Sequence, residues 1–500
     1  MAKLFGMHSL MDATPAGTSF APAPDDGQTL YVSGLTALRD GDAARAALLL
    51  TQALRRCPGH AGMRRNLVRA LLVAERWDEV VVQANAALVE THDDGELHFA
   101  RGTALNALGE HTRACAAFAR ALTLTPNHAP SWLNMGNASA DLDDVPSAEA
   151  LYRTAISLDP ALVEAHASLG HLLTMQGRLS EAVVACEAAL KLRPDFAPAH
   201  WNLAIATLLG GDLRRGFAGY EWRKRHARYQ ANFSMLPGRM WDGSEPAGQT
   251  ILIRAEQGVG DAIQFARYLP MIQAAGGAAV LLCPSPLVPL MRSMRGVLAV
   301  ASSDGLPRYD AWIDQASLPF VFGTTLETIP APNAYLQPDP VRVEAWRARL
   351  PGGRKIGVAF SGSPNHPADR RRSIPLDLIG RLPDRPDLTF INLQHGDSAR
   401  GLSLPDLTGY LTDYAETAAL IETLDLVVTV DTSVAHLAGA LGKPVWILLP
   451  HAPDWRWLLG RDDSPWYRSA RLFRQAAPGD WVSVLNPVMT ELEQLAEANS

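Results

Sequence analysis

The sequence predicts a multidomain chain: an all-α superhelix of repeated helix pairs, then an α/β domain of two Rossmann-like lobes. Three observations predict it. A 34-residue period runs through the first half, it disappears near Gln230, and short β-branched runs alternate with helical stretches from there on. The length of 500 residues also asks for more than one core, because single hydrophobic cores stop growing near ~250–300 residues.

The period is carried by small residues and prolines. Pro24, Pro58, Pro126, Pro160 and Pro194 are spaced by 34 or 68, with His92 at the skipped phase. Gly34, Gly102, Gly136, Gly170 and Ala204 share one repeat position. Ala46, Ala114, Ala148 and Ala182 share a second, and Ala53, Ala87, Ala121, Ala155 and Ala189 a third. Antiparallel helices approach closely only where side chains nearly vanish, and a proline past the second helix stops it continuing. Leu169, Trp132, Phe118 and Tyr152 are expected to fill the space between helices. The second repeat departs from the pattern, with Val68 and Val80 at positions that should be small. The array is expected over residues 24–228, after a loose tail over 1–23. Its end, Tyr220-Glu-Trp-Arg-Lys-Arg-His226, reads as a solvated terminal cap with Trp222 packed beneath.

In the second half the candidate strands are Thr250 to Ala255, Ala278 to Cys283, Val297 to Ala301 and Ala311 to Ile313. After a proline-rich passage a second series follows: Lys355 to Phe360, Thr389 to Gln394, Leu426 to Val430, Val445 to Leu449 and Arg471 to Phe473. Lobes over 229–348 and 349–500 are implied, and ligands of such sheets bind beyond the carboxyl ends of the strands.

Composition narrows the function. A formal charge of −7 argues against a nonspecific nucleic-acid binder. Cys57, Cys115, Cys186 and Cys283 lie far apart without metal-ligand spacing, which suggests neither a zinc site nor a disulfide framework. No stretch of about 18 apolar residues occurs, so no transmembrane segment is expected and a cytoplasmic location fits best.

Three loops at strand ends carry candidate chemistry. In Ala255-Glu-Gln-Gly-Val-Gly-Asp261, Gly258 and Gly260 allow a tight turn and a close backbone approach to a ligand. Ile263 stands where a dinucleotide fingerprint needs its third glycine. Asp261 reads either as a helix N-cap or as a general base. The second loop runs from Ser361 through Asn365 and His366 to Arg370, Arg371 and Arg372, where forked guanidinium donors suit phosphate oxygens. The third, Val430-Asp-Thr-Ser-Val-Ala-His436, ends a buried strand in a polar cluster and opens a small-residue helix. Asp431, Thr432, Ser433 and the helix-start amides would cradle phosphate, with His436 one turn in; the plainer reading makes Asp431 or Thr432 a helix cap and His436 a satisfied interior histidine. Gln394, at another strand end, reads either as a candidate for the base or ribose of a nucleotide or as a plain strand-end residue. Lys443 reads as a surface lysine with a lesser claim on phosphate, and Asp141-Leu-Asp143 as a solvated turn rather than a metal site.

These motifs resemble known families. Residues 24 to 228 are similar to tetratricopeptide repeats. Residues 249 to 476 look like GT-B glycosyltransferases related to the lipopolysaccharide heptosyltransferases, whose GxGD and D-T-G-x-x-H loops have counterparts in Gly258 to Asp261 and Asp431 to His436. Ser433 replaces the family glycine. The whole layout, with Pro450 to Trp457 and Asp463-Ser-Pro-Trp-Tyr467, resembles bacterial repeat-containing glycosyltransferases. The resemblance implies an inverting transfer from a nucleotide sugar, with Asp261 as base and the second lobe holding the donor diphosphate. On this chemistry no metal and no other cofactor is required, and the repeat groove, built to hold extended chains, suits a protein or glycan acceptor. The competing reading is a noncatalytic repeat scaffold with a degenerate nucleotide-binding domain.

Overall fold

The computed structural model describes residues 26–226, 236–300, 306–362, 369–380, 387–394, 404 and 407–497. They form two compact units, one ending at Leu203 and one beginning at Ala204. No helix among the described residues is long and apolar enough to cross a membrane.

The first unit is all helical, from Asp26–Arg39 and Ala43–Arg56 to Val163–Met175 and Leu179–Leu192. The side chains of Asp42, Asp94 and Asp144 each accept the amide three residues on, capping helix starts in separate repeats. The glycine column is required by contact across each pair. A Cβ at Gly34 would stand 2.8 Å from Leu50, one at Gly102 2.7 Å from Phe118 and one at Gly136 2.7 Å from Tyr152, while one at Gly170 would overlap the Cys186 sulfur. Each glycine thus makes room for a side chain sixteen residues on. In the second repeat the sizes are exchanged: Val68 fills the glycine position, and Ala84, sixteen residues on, is small and also buried. Phe118, Tyr152 and Leu169 are buried as expected, whereas Trp132 is half-buried, its indole donating to the Pro126 carbonyl.

The second unit holds two parallel five-stranded sheets. The first contains β1 (Arg239–Met240), β2 (Thr250–Arg254), β3 (Ala278–Leu282), β4 (Val297–Val300) and β5 (Ala311–Asp314), in the order β1-β5-β2-β3-β4. The second contains β6 (Arg354–Ala359), β7 (Leu388–Asn392), β8 (Leu426–Val430), β9 (Val445–Leu449) and β10 (Ala470–Arg474), in the order β10-β9-β8-β6-β7. Every expected strand forms with its ends moved by no more than two residues, and β1 is an addition. The strand order reverses between β2 and β5 and again between β6 and β8. Such switch points open a crevice at the carboxyl ends of the strands. The loop after β2 carries Asp261, and the loops after β6 and β8 carry Ser361 and Asp431.

The run Tyr220 to His226 differs from expectation. It is a 3₁₀ turn, Glu221–Arg225, within the second unit, and Arg223 is fully buried rather than solvated. Its guanidinium donates to Glu256 Oε1 at 2.9 Å and to Ser317 Oγ at 2.8 Å. The apolar core of the first sheet leaves the ends of β2 and β5 polar, and this cation sits over them. Trp222 is half-buried, with Arg225 stacked 4.8 Å from its ring.

Candidate functional site

The loop after β2 turns at Gly258 into the helix Val259–Phe265. Asp261 is three residues into this turn, and its Oδ2 accepts the Gly258 amide at 2.9 Å. The N-cap is therefore Gly258 and not Asp261, which supports the helix start from the third helical position while remaining about a quarter exposed. Its other oxygen, Oδ1, is held by the Arg456 guanidinium from the second lobe.

The loop after β8 starts the helix Ser433–Ala440, with Thr432 as N-cap accepting the Val434 amide. Thr432 also meets Thr429, which is fully buried, at 3.2 Å, and Ser433 meets the Tyr414 hydroxyl at 3.1 Å. This helix packs directly on the first-lobe loop: a Cβ at Gly260 would lie 2.7 Å from His436 Cδ2 and 3.5 Å from Ser433 Cα. The second glycine of the first motif and the histidine of the third are thus one feature, a close approach of two helix starts. His436 is buried, stacked on Trp457 at 5.5 Å, with Nδ1 2.9 Å from the Tyr467 hydroxyl and Nε2 4.0 Å from Asp431. Burial first, and then the nearby charges of Arg456, Arg267 and Arg372, lowers its pKa well below the ordinary imidazole value, so the ring is neutral. Asp431 is shifted the other way. Burial, reinforced by Asp454, pushes its carboxyl up to about 6 against the pull of Arg456, Trp457 and Arg372.

In the loop after β6, Arg372 donates to the Asp431 carbonyl at 3.0 Å and to Asp369 at 3.2 Å. It lies across Gly362, where a Cβ would overlap the guanidinium. Arg372 therefore ties the second and third loops together, whereas Arg370 and Arg371 are exposed on the same short helix. Gln394 is buried, and its Oε1 accepts the Phe360 and Ser361 amides while its Nε2 donates to Ser361 Oγ at 2.9 Å. Its amide holds the Ser361 turn, which is the strand-end role of the two readings. Asn365 and His366 lie outside the described residues. Lys443 donates to the Glu422 carbonyl, securing the end of the helix Tyr414–Glu422.

Sequence reasoning named the loop that follows β9 only as part of the family resemblance and assigned none of its residues a role. There Asp454 caps the short turn Trp455–Trp457, and Arg456 points into the space between lobes. It binds Asp454 at 2.8 Å through Nη1, Gln264 through Nε and Asp261 through Nη2. Arg267 was also missed. Buried, it donates to the Trp466 carbonyl at 2.6 Å and lies over the Tyr335, Trp466 and Tyr467 rings. The signal available for Arg456 was an arginine between two tryptophans in the loop beyond a strand's carboxyl end.

The fold and this crevice define the class: a tetratricopeptide-repeat superhelix joined to an α/β domain of two Rossmann-like lobes, consistent with the GT-B arrangement. The particular likeness is then specific. Residues 407–454, which include β8 and the His436 helix, match the model of glycosyltransferase family 9 (heptosyltransferase). Residues 31–92, 95–128 and 133–195 match tetratricopeptide-repeat models. The chain is 27% identical over 429 residues to Protein FlbA of Caulobacter vibrioides, covering 79% of this chain and 72% of that one. Among solved structures, a thermophilic TPR protein of Thermus thermophilus is 23% identical, with a TM-score of 0.32 over 36% of this chain and 99% of its own. A tetratricopeptide repeat protein of Parabacteroides merdae is 18% identical, with a TM-score of 0.35 over 40% of this chain and 79% of its own.

Proposed function

We propose that this protein transfers a sugar from a nucleotide-diphosphate donor to an acceptor hydroxyl in the crevice between the two lobes. The observation that carries the reading is the convergence of Asp261 from the first lobe with Asp431, Thr432, Ser433 and His436 from the second, at the switch points of both sheets. The glycosyltransferase family 9 match over the adjoining segment supports it. In the reaction the acceptor oxygen attacks the anomeric carbon, the bond from that carbon to the diphosphate oxygen breaks, and the nucleoside diphosphate leaves with the electron pair. Asp261 takes the acceptor's proton as general base. Thr432, Ser433, the amides of their helix start and Arg372 stabilise the departing diphosphate. His436, neutral and wedged between Trp457 and Tyr467, positions the loop rather than carrying charge. Single displacement inverts the anomeric centre. The chemistry assigned to these residues calls for no metal, and the protein works in the cytoplasm, where nucleotide sugars are available.

The acceptor is a polypeptide held along the repeat groove, since stacked helix pairs present an extended concave surface suited to an extended chain. The test is a panel of nucleotide sugars with the full chain, following binding and slow donor hydrolysis in wild type and in Asp261→Ala. One donor bound and hydrolysed, with Asp261→Ala binding it but not turning it over, supports the reading. No binding to any nucleotide or nucleotide sugar overturns it in favour of a repeat-based scaffold.

A further inference from the structure

Arg456 is held unevenly. Nε is bound to Gln264, Nη1 to Asp454 on its own loop, and Nη2 reaches across the crevice to Asp261. The side chain is about nine-tenths buried, which makes its charge costly without an anion beside it. Gln264 is wholly buried, and its Nε2, part of the same amide that binds Arg456, has no hydrogen-bond partner among the described residues. A second buried donor therefore accompanies the guanidinium. Asp261, for its part, has one oxygen on Arg456 and the other on the Gly258 amide. A carboxylate so bound is poorly placed to accept a proton from a hydroxyl. Base and cation block each other in this arrangement, and an incoming oxyanion relieves both.

We infer that Arg456 is a donor-binding residue which exchanges the Asp261 carboxylate for the donor's diphosphate, so that Asp261 is released to act as base only when donor is in place. This rests on the transferase reading above. Arginine suits the exchange because its fork presents the same donors to carboxylate and phosphate. Gln264 and Asp454 keep the guanidinium in place while Nη2 changes partner. The consequence is ordered action: without a diphosphate on Arg456 the base stays engaged, which limits activation of water or acceptor ahead of donor binding.

The test is equilibrium binding of ADP, UDP, GDP and inorganic pyrophosphate to the full chain, in wild type, Asp261→Asn, Arg456→Gln and Arg456→Lys. Exchange makes Asp261 a competitor, and removing a competing state raises apparent affinity by the reciprocal of the fraction it left free to bind. Asp261→Asn is therefore expected to tighten binding by about threefold or more, and Arg456→Gln to weaken it by about tenfold. Arg456→Lys, which keeps the charge but loses the fork, is expected to fall between them. Binding by wild type with unchanged or weaker affinity in Asp261→Asn overturns the exchange and leaves the transferase reading standing. Binding of no probe by wild type or by Asp261→Asn removes both. Should the Arg456 variants misfold, the Asp261→Asn arm decides alone.

Discussion

Gly260 and His436 face each other so closely that a Cβ on the first would lie 2.7 Å from Cδ2 of the second. The ring is buried between Trp457 and Tyr467 and has little room to retreat. Gly260→Ala is therefore expected to part the two helix starts, destabilising the second unit by about 1–3 kcal/mol as overpacking does and lowering turnover. His436→Ala added to it should recover part of that stability, because the obstructing ring is gone. Thermal unfolding of Gly260→Ala, His436→Ala and the double variant by tryptophan fluorescence reads the outcome, since nine of the twelve tryptophans lie beyond Leu203. Additive losses would show that the two positions do not oppose each other.

Gln394 is expected to act on the Ser361 turn rather than on a ligand. Replacing it by leucine keeps the volume but leaves the Phe360 and Ser361 amides without their acceptor. The expected cost is about 2–3 kcal/mol, the penalty for buried donors left unmatched, with weaker donor binding as a secondary effect. Denaturant unfolding followed by tryptophan fluorescence checks it. A variant of unchanged stability that binds donor poorly would return Gln394 to the ligand.

What the sequence made legible follows from how local each signal is. The glycine column was readable because one contact geometry recurs every 34 residues. How its break at Val68 is accommodated was not, since the compensating Ala84 lies sixteen residues on and carries no signal until the helices are paired. Strands and their ends were readable because buried parallel strands are continuous apolar runs with polar ends. The three loops could be found as glycines and polar clusters at those ends. That Gly260 serves His436, and that Arg372 holds the Asp431 carbonyl, depends on which strand ends the topology brings together. Arg223 was misread for the same reason. A basic run looks solvated until Glu256, thirty-three residues away, is placed against it.

The displaced carboxyl of Asp431 predicts a specific pH dependence. Its folded value of about 6 lies above the ordinary 3.8, so the folded state binds the proton more tightly than the unfolded chain. Stability from this group is therefore lost as pH rises from about 4 through 6. His436 contributes with the opposite slope, because its lowered value makes the unfolded chain the better proton binder below 6.5. Asp431→Asn isolates the first term. The variant is expected to unfold at a higher temperature than wild type at pH 7.5, with the gap closing as pH falls through 6 toward 4.5. A gap that stays constant over that range would show that Asp431 titrates normally.

The buried pair Arg223–Glu256 fixes the residues just before the α/β domain to the loop that carries Asp261. Both side chains are almost inaccessible, at 0% and 1% exposure, and burial is the largest influence raising the pKa of Glu256. Tyr220 adds a second tie, its hydroxyl exchanging hydrogen bonds with Gln257 at 3.0–3.1 Å. Removing one member of such a pair strands a buried charge, which costs about 3–5 kcal/mol, whereas replacing both by apolar groups is often close to neutral. Arg223→Met alone is thus expected to destabilise the second unit by that amount, and Arg223→Met with Glu256→Leu to recover most of it. If the double variant regains stability but not turnover, the pair's contribution is to aim the Ala255 to Asp261 loop, because the fold would then be intact while the base is misplaced. Recovery of both would make the pair a fastening only. The two outcomes are separated by measuring donor hydrolysis alongside tryptophan-monitored denaturation in wild type and both variants.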